Sequence, residues 1–174
     1  MVQKKLKIRQ FKEDDLDQVI SINRECLPEN YDRMFFIELY KRFPQLFLVA
    51  EVNGRVAGYA LCRMELGFPD LGSLGFLTKK GHIVSIAVLD EHRREGIGTR
   101  LMKQVINIMV ENGAGECYLE VRVTNRGAIQ MYEKLGFITN KRAPGYYRDG
   151  EDAFVMSSKL SNQRENADTE KQHT

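Results

Sequence analysis

The stretch His82-Ile-Val-Ser-Ile-Ala-Val-Leu-Asp90-Glu-His-Arg93-Arg94-Glu95-Gly96-Ile97-Gly98-Thr99 constrains the fold of this chain more than any other. Its apolar, β-branched opening is a buried strand, its glycines mark a turn, and the residues from about Thr99 to Val110 have the pattern of a helix. Gly96 and Gly98 remove side chains where a ligand could approach the backbone. A helix opening at that point offers N–H groups without intrahelical partners and the positive end of its dipole. Arg93, Arg94 and Arg100 add positive charge at the same corner. Two readings follow from the residues: a seat for a pyrophosphate, or a strand-to-helix turn whose glycines serve geometry alone.

A chain of 174 residues, 43% apolar and 29% charged, is long enough for one domain with its own core. A net charge of +2 makes no electrostatic demand for nucleic acid or a membrane surface. No segment approaches the roughly 18 consecutive apolar residues of a membrane helix. The basic start, Met1-Val-Gln-Lys-Lys, lacks the apolar run of a secretory signal. Cys26, Cys62 and Cys117 are widely spaced, which fits reduced thiols and a cytoplasmic location. Residues 1–160 are expected to form the domain, and the polar residues 161–174 a disordered tail.

In chain order, residues 5–11 alternate as a first strand. Glu13, Asp14 and Asp15 open a helix in which Leu16, Val19, Ile20, Asn23 and Leu27 recur at helical spacing, ending near Cys26. Asp32 can cap a second helix with Phe35, Phe36, Leu39 and Tyr40 on its apolar face, stopped before Pro44. Asn53-Gly54 joins residues 46–52 and 56–64 as an antiparallel hairpin. Residues 66–80 are glycine-rich and read as a surface loop. Beyond the central helix, residues 116–123 form a strand and Asn125 caps a helix carrying Ile129, Tyr132 and Leu135. Phe137 then starts another strand after Gly136. A last hairpin spans residues 145–156, turning at Asp149-Gly150. These elements make a mixed α/β sheet, whose ligand crevice belongs at the C-terminal end of a parallel strand, where residues 93–98 fall.

Spacing narrows the phosphate reading. There is no Gly-x-x-x-x-Gly-Lys-Ser/Thr, and Gly96-Ile-Gly98 lacks the third glycine of a dinucleotide fold, which leaves the pyrophosphate of coenzyme A. Glu120 is a carboxylate inside the apolar run Cys-Tyr-Leu-Glu-Val-Arg-Val. Burial makes a carboxyl group hold its proton more tightly, the property of a general base; a pair with Arg122 on the same strand face would give it a structural role instead. His82 reads as a proton acceptor or as a surface or capping residue, and Tyr132 as a core aromatic. His82 and Glu120 without a third ligand do not make a metal site.

Arg93-Arg-Glu-Gly96-Ile-Gly98 matches the Arg/Gln-x-x-Gly-x-Gly/Ala signature of the GNAT acetyltransferase superfamily, which the chain resembles. Four more stretches sharpen the resemblance: Leu27-Pro-Glu-Asn-Tyr31, His82-Ile-Val-Ser-Ile-Ala-Val88, Glu120-Val-Arg-Val-Thr-Asn125 and Tyr146-Tyr-Arg-Asp-Gly-Glu-Asp-Ala153. They are similar to the catalytic subunits of NatA-type and RimI-like N-terminal acetyltransferases, especially archaeal ones, over residues 8–160.

The resemblance implies a GNAT fold, a mixed, mostly antiparallel sheet of about six or seven strands flanked by about four helices. It implies acetyl transfer from acetyl-CoA to the free α-amino group of a protein N-terminus, with coenzyme A as product. Backbone groups of Ile86, Ala87 and Val88 would pair with the pantetheine arm, and Arg93, Arg94, Glu95, Gly96, Ile97, Gly98 and Thr99 would hold the pyrophosphate. Asn125 and Tyr132 would face the cofactor, Tyr132 with its hydroxyl near the leaving sulfur. Glu120 and His82 would lie near the incoming amine. Many eukaryotic relatives carry His where this chain has Glu120, so the choice of base stays open. Glu29, Tyr31, Ile86, Tyr146 and Tyr147 would wall the acceptor slot, Tyr31 and Tyr147 against the substrate backbone and Glu29 against its first side chain. The implied partners are protein or peptide N-termini, with a ribosome or an auxiliary subunit as further ones.

An α-amine has a reference pKa of about 8 against about 10.4 for lysine, so modest base assistance suffices for direct attack on the thioester. Cys117 is expected to face away or lie too deep to act as a nucleophile. Other acceptors, namely a ribosomal-protein N-terminus, a lysine or a small amine, and a non-catalytic acyl-CoA sensor, remain open readings of the same motifs.

Overall fold

Alternation in β2 (Phe47–Val52) builds core on both sides of the sheet: Leu48, Ala50 and Val52 face one layer, Phe47 and Val49 the other. The computed structural model describes residues 5–71 and 76–160. Its other strands are β1 (Leu6–Gln10), β3 (Arg55–Gly67), β4 (Thr78–Val88), β5 (Glu116–Arg122), β6 (Ile138–Ala143) and β7 (Ala153–Lys159). They form one sheet ordered β1-β2-β3-β4-β5-β7-β6, antiparallel at every pairing except β4 with β5. The mixed α/β sheet is the one expected from the residues, and its seven strands with four α-helices among the described residues agree with the fold that the resemblance implies.

Two layers of helix cover it. On one face α1 (Leu16–Cys26) and α2 (Arg33–Arg42) bury Leu16, Val19, Ile22, Phe36 and Leu39 against Phe47, Tyr59 and Leu61. On the other, α3 (Ile97–Glu111) buries Ile97, Leu101, Met102, Val105 and Met109 with Tyr132 of α4 (Arg126–Lys134). The expected caps are present: Asp32 Oδ1 accepts the Phe35 N–H at 2.8 Å, and Asn125 Oδ1 that of Ala128 at 3.2 Å. Asn53 and Gly54 take positive φ of 51° and 85°, the geometry of a tight hairpin turn.

Three expectations are corrected. Residues 66–80 are not one loop: β3 and β4 run on as a ladder that pairs Leu66 with Lys79 and Gly67 with Thr78, so the connection shrinks to residues 68–77. Gly81 does not interrupt that ladder; a Cβ there would stand 2.2 Å from Met109 Sδ, so the glycine is where α3 crosses closest. The central helix starts at Ile97 rather than Thr99, because Gly96, at φ 77°, is its N-cap. The last hairpin is β6 with β7, and Tyr146 and Tyr147 lie in their connecting loop, where Gly150 takes φ 86° and donates to Tyr147 O. Residues 161–174, read as a polar tail, lie outside the described residues.

Among the described residues no helix is long and apolar enough to cross a membrane. All three cysteines are free thiols. Burial pushes the Cys117 thiol up to about 12 and moves the Cys62 thiol the same way. A group whose folded pKa is raised contributes stability that is complete below its unfolded value and is lost as pH rises toward the folded one. Above the unfolded thiol value of about 8.5, each of these thiols therefore withdraws about 1.4 kcal/mol of stability per pH unit. Urea midpoints measured under reducing conditions are expected to fall steadily from about pH 8.5 upward; a flat midpoint up to about pH 10.5 would contradict the burial of both thiols.

Candidate active site

The site begins where the parallel pairing stops. β4 and β5 pair only at Lys80, Gly81 and His82 against Glu116, Cys117 and Tyr118. β4 then continues to Val88 and β5 to Arg122, and a cavity of about 190 Å³ opens between them, lined by Ile83, Val84, Ser85 and Ile86 on one side and Leu119, Glu120, Val121 and Arg122 on the other. Past His82 the β4 edge facing this gap has no strand partner among the described residues, so its backbone groups other than Val88 O, which is held by side chains, can bond an extended ligand. The β3–β4 register also slips between Ser85 and Ile83, a bulge that turns Val84 and Ser85 toward α1.

At the narrow end of the gap, His82 Nε2 lies 2.7 Å from Glu120 Oε2. With Glu120 ionised, Nε2 carries the hydrogen and donates it. The His82 ring stacks on Tyr118 at 4.4 Å and 4°, and is 8% exposed. Glu120 lines the cavity, whereas His82 stands behind it. Arg122 does not pair with Glu120: its guanidinium holds Glu29, Asp149 and Glu151 and lies 4.1 Å from the centre of the Tyr147 ring. The structural pairing considered for Glu120 is thereby corrected.

Tyr132 is 5% exposed, reaches the cavity, and makes no hydrogen bond among the described residues through its hydroxyl. Burial pushes that hydroxyl well above its ordinary value, so it stays protonated. Of the thiols, Cys26 rather than Cys117 lines the cavity; burial raises it despite the counter-effect of Arg93, and its Sγ donates to Val88 O at 3.6 Å. Neither thiol is presented as a thiolate nucleophile.

At the far end of β4, the turn is tied down by Arg93, whose Nε donates to Val88 O at 3.1 Å and whose guanidinium meets Asp90 at 2.7 Å. Arg94 and Gly96 both take positive φ, 65° and 77°. No side chain caps α3, so the N–H groups of Ile97, Gly98 and Thr99 point outward without intrahelical acceptors. The two glycines divide the work: Gly96 serves the left-handed cap, while a Cβ on Gly98 would come within 3.1 Å of Met131 Sδ, where α3 packs on α4.

The opposite wall is built from two connections. Leu27, Pro28, Glu29 and Tyr31, between α1 and α2, meet Tyr146 and Tyr147 from the β6–β7 loop across the cavity. Tyr31 stacks on Phe35 at 4.3 Å, and Tyr146 meets Tyr147 edge-on at 5.0 Å. The Thr124 hydroxyl and then Arg122 hold the Glu151 carboxyl below the usual range, keeping the loop anchor charged.

One cavity thus brings together Glu29, Tyr31, Ile86, Glu120, Asn125, Tyr132, Tyr146 and Tyr147. Ala87, Val88 and the turn from Arg93 to Thr99, with Glu95 at 4.0 Å from His92, stand beyond its wall, along the continuation of β4. The residues missed in the sequence are Arg122 as a clamp, Tyr118 as the platform of His82, and Asn23. Asn23 was legible only as an amide in an apolar stripe.

An open parallel edge that leads to an uncapped, glycine-started helix defines a site for a long, extended ligand with an anionic end, the architecture of acyl-CoA-dependent transferases. The chain belongs to the acetyltransferase (GNAT) family, whose pattern it matches over residues 16–137. It is 51% identical over 158 residues to the N-alpha-acetyltransferase of Sulfurisphaera tokodaii, covering 90% of this chain and 95% of that protein. Its fold is similar to the crystal structure of Ard1 from Thermoplasma volcanium, with TM-score 0.79 and 28% identity over 90% of this chain and 99% of that one. It is also similar to Chaetomium thermophilum Naa20 in complex with a bisubstrate analogue, with TM-score 0.78 and 31% identity over 88% and 86%.

Proposed function

We propose that this chain is an N-terminal acetyltransferase, moving the acetyl group of acetyl-CoA to the free α-amino group of a protein or peptide. The observation that carries this reading is one cavity with a carboxylate of β5, Glu120, between an open strand edge and a narrow two-loop slot. The similarity to named N-alpha-acetyltransferases supports the same acceptor.

Acetyl-CoA supplies an activated acyl carbon on a thioester. The residues fit it: the edge of Ile86, Ala87 and Val88 that no strand pairs, with Val88 O already held by Arg93 and Cys26, suits an extended arm with amides, and the outward N–H groups of Ile97, Gly98 and Thr99, with Arg94, suit its pyrophosphate. Glu120 takes the proton released as the amine nitrogen bonds to the acyl carbon. His82, by donating its Nε2–H to Glu120, fixes the carboxylate's orientation, and Glu120, which lines the cavity, returns the proton to water once the product has left. Tyr132 keeps its hydroxyl proton and donates a hydrogen bond to the sulfur as the C–S bond breaks, so that the thiolate leaves stabilised. Attack is direct, with no acetylated side chain. The slot admits a chain end: Tyr31 and Tyr147 flank the peptide backbone, Tyr146 lies at the mouth with 51% exposure, and Glu29 stands nearest the first side chain. A ribosome or an auxiliary subunit are further partners consistent with this role, which belongs in the cytoplasm.

Two peptides identical but for a free or blocked terminus, assayed by coenzyme A release, test this reading. Turnover with the free terminus alone is expected; equal turnover with both would point to a side-chain acceptor.

A further inference from the structure

The loop that forms one wall of the slot, residues 27–31, has no regular structure of its own, yet it must stand at a fixed distance from the strand that holds the thioester. Its backbone is held by a side chain outside the cavity wall. Asn23, in the last turn of α1, has no solvent exposure. One hydrogen of its Nδ2 is donated to Glu29 O at 3.2 Å and the other to Tyr59 Oη at 3.0 Å. Its Oδ1 accepts the Tyr31 N–H at 3.2 Å. Both ends of the amide are therefore occupied by the two acceptor-slot residues, through their backbones, and by one buried hydroxyl.

That hydroxyl continues the chain. Tyr59, on β3, is itself fully buried, and its Oη lies 2.7 Å from Ser85 Oγ. Since Tyr59 accepts from Asn23, its own hydrogen is free to go to Ser85. Ser85 sits in the bulge of β4, reaches the cavity and is 6% exposed. The sequence of contacts runs without interruption from the backbone of Glu29 and Tyr31, through Asn23 and Tyr59, to the strand proposed to carry the cofactor arm. No apolar residue could make these bonds, and Asp could not donate the two that Asn23 donates.

We infer that Asn23 is a positioning residue: with Tyr59 and Ser85 it fixes the acceptor slot in register with the bulged cofactor strand, and so sets where the incoming α-amine stands. This rests on the reading of the cavity as an N-terminal acetylation site. Asn23 touches no reacting atom. Its loss displaces the peptide wall and leaves the cofactor edge and the α3 turn as they are.

The test is steady-state kinetics of the full chain with a free-terminus peptide, varying peptide and acetyl-CoA separately. Asn23→Ala is expected to raise the KM for peptide about tenfold, the loss of two loop-holding hydrogen bonds, while the KM for acetyl-CoA stays within about twofold. Tyr59→Phe keeps the ring packing and both loop bonds but cuts the link to Ser85. It is expected to raise the peptide KM by about threefold, half the logarithmic effect of Asn23→Ala, and it carries the test if Asn23→Ala does not fold. Melting temperatures are read alongside. Peptide and acetyl-CoA constants that stay at wild-type values in both folded variants, or that rise together, overturn the inference whatever happens to melting. A wild-type chain that binds acetyl-CoA but leaves peptide termini unacetylated overturns the underlying reading instead.

Discussion

Replacing Glu120 by Gln is expected to lower kcat for a free-terminus peptide about a hundredfold at pH 7, the low end of what a positioned general base contributes. Gln keeps the shape and can still meet His82, so the loss is one of proton acceptance rather than of packing. The KM for acetyl-CoA should not change, because Glu120 stands on the β5 side of the gap, opposite the edge proposed for the cofactor arm. The deficit should narrow as pH passes about 8, where the α-amine loses its proton to water unaided. His82→Ala should cost less than Glu120→Gln, since His82 lies behind Glu120 and acts through it. Initial rates across about pH 6.5–9 check all of this; a Glu120→Gln chain with wild-type kcat at pH 7 would remove the carboxylate from the mechanism.

Arg122→Ala is expected to reduce kcat/KM for peptide on the order of thirtyfold, through KM more than kcat. One guanidinium gathers Glu29 from the α1–α2 connection and Asp149 and Glu151 from the β6–β7 loop, and covers Tyr147. Without it three carboxylates face one another with no cation between them, and the two walls of the slot part. Lys should restore little, because a point charge reproduces neither the forked bonds nor the stacking. Cofactor affinity, measured by equilibrium titration with acetyl-CoA, is expected to hold. An equal loss of cofactor affinity would mean that Arg122 supports the sheet as a whole and not the slot.

The parts of this site that were legible in the sequence are those written in local pattern. Asn53-Gly54, the Asp32 and Asn125 caps and Gly96 each determine the backbone within a few residues, and Glu120 stood out as a charge in an apolar run. What was not legible depends on where strands cease to touch. Nothing in residues 83–88 or 119–122 announces that β4 and β5 pair over three residues and then separate, although the cavity exists only because they do. Arg122 and Glu29 stand 93 positions apart, so proximity in sequence favoured Glu120, two residues away, as the partner. Residues 66–80 looked like a loop because glycines and lysines hid the alternation. In the fold Gly81 is the crossing point of α3, and Lys80 is buried beside Glu116 and Asp70, a salt-bridged position that an apolar pattern cannot signal. Asn23 fell on the helical repeat and passed for part of the core, which it is in position but not in chemistry.

The central claim is that the acceptor is a chain terminus. A peptide that carries both a free α-amine and an internal lysine, incubated with the chain and acetyl-CoA, can be fragmented by mass spectrometry to locate the acetyl group. The slot over the Glu120 carboxylate predicts acetyl on the α-nitrogen and none on the lysine. Acetyl on the lysine at a comparable rate would contradict it.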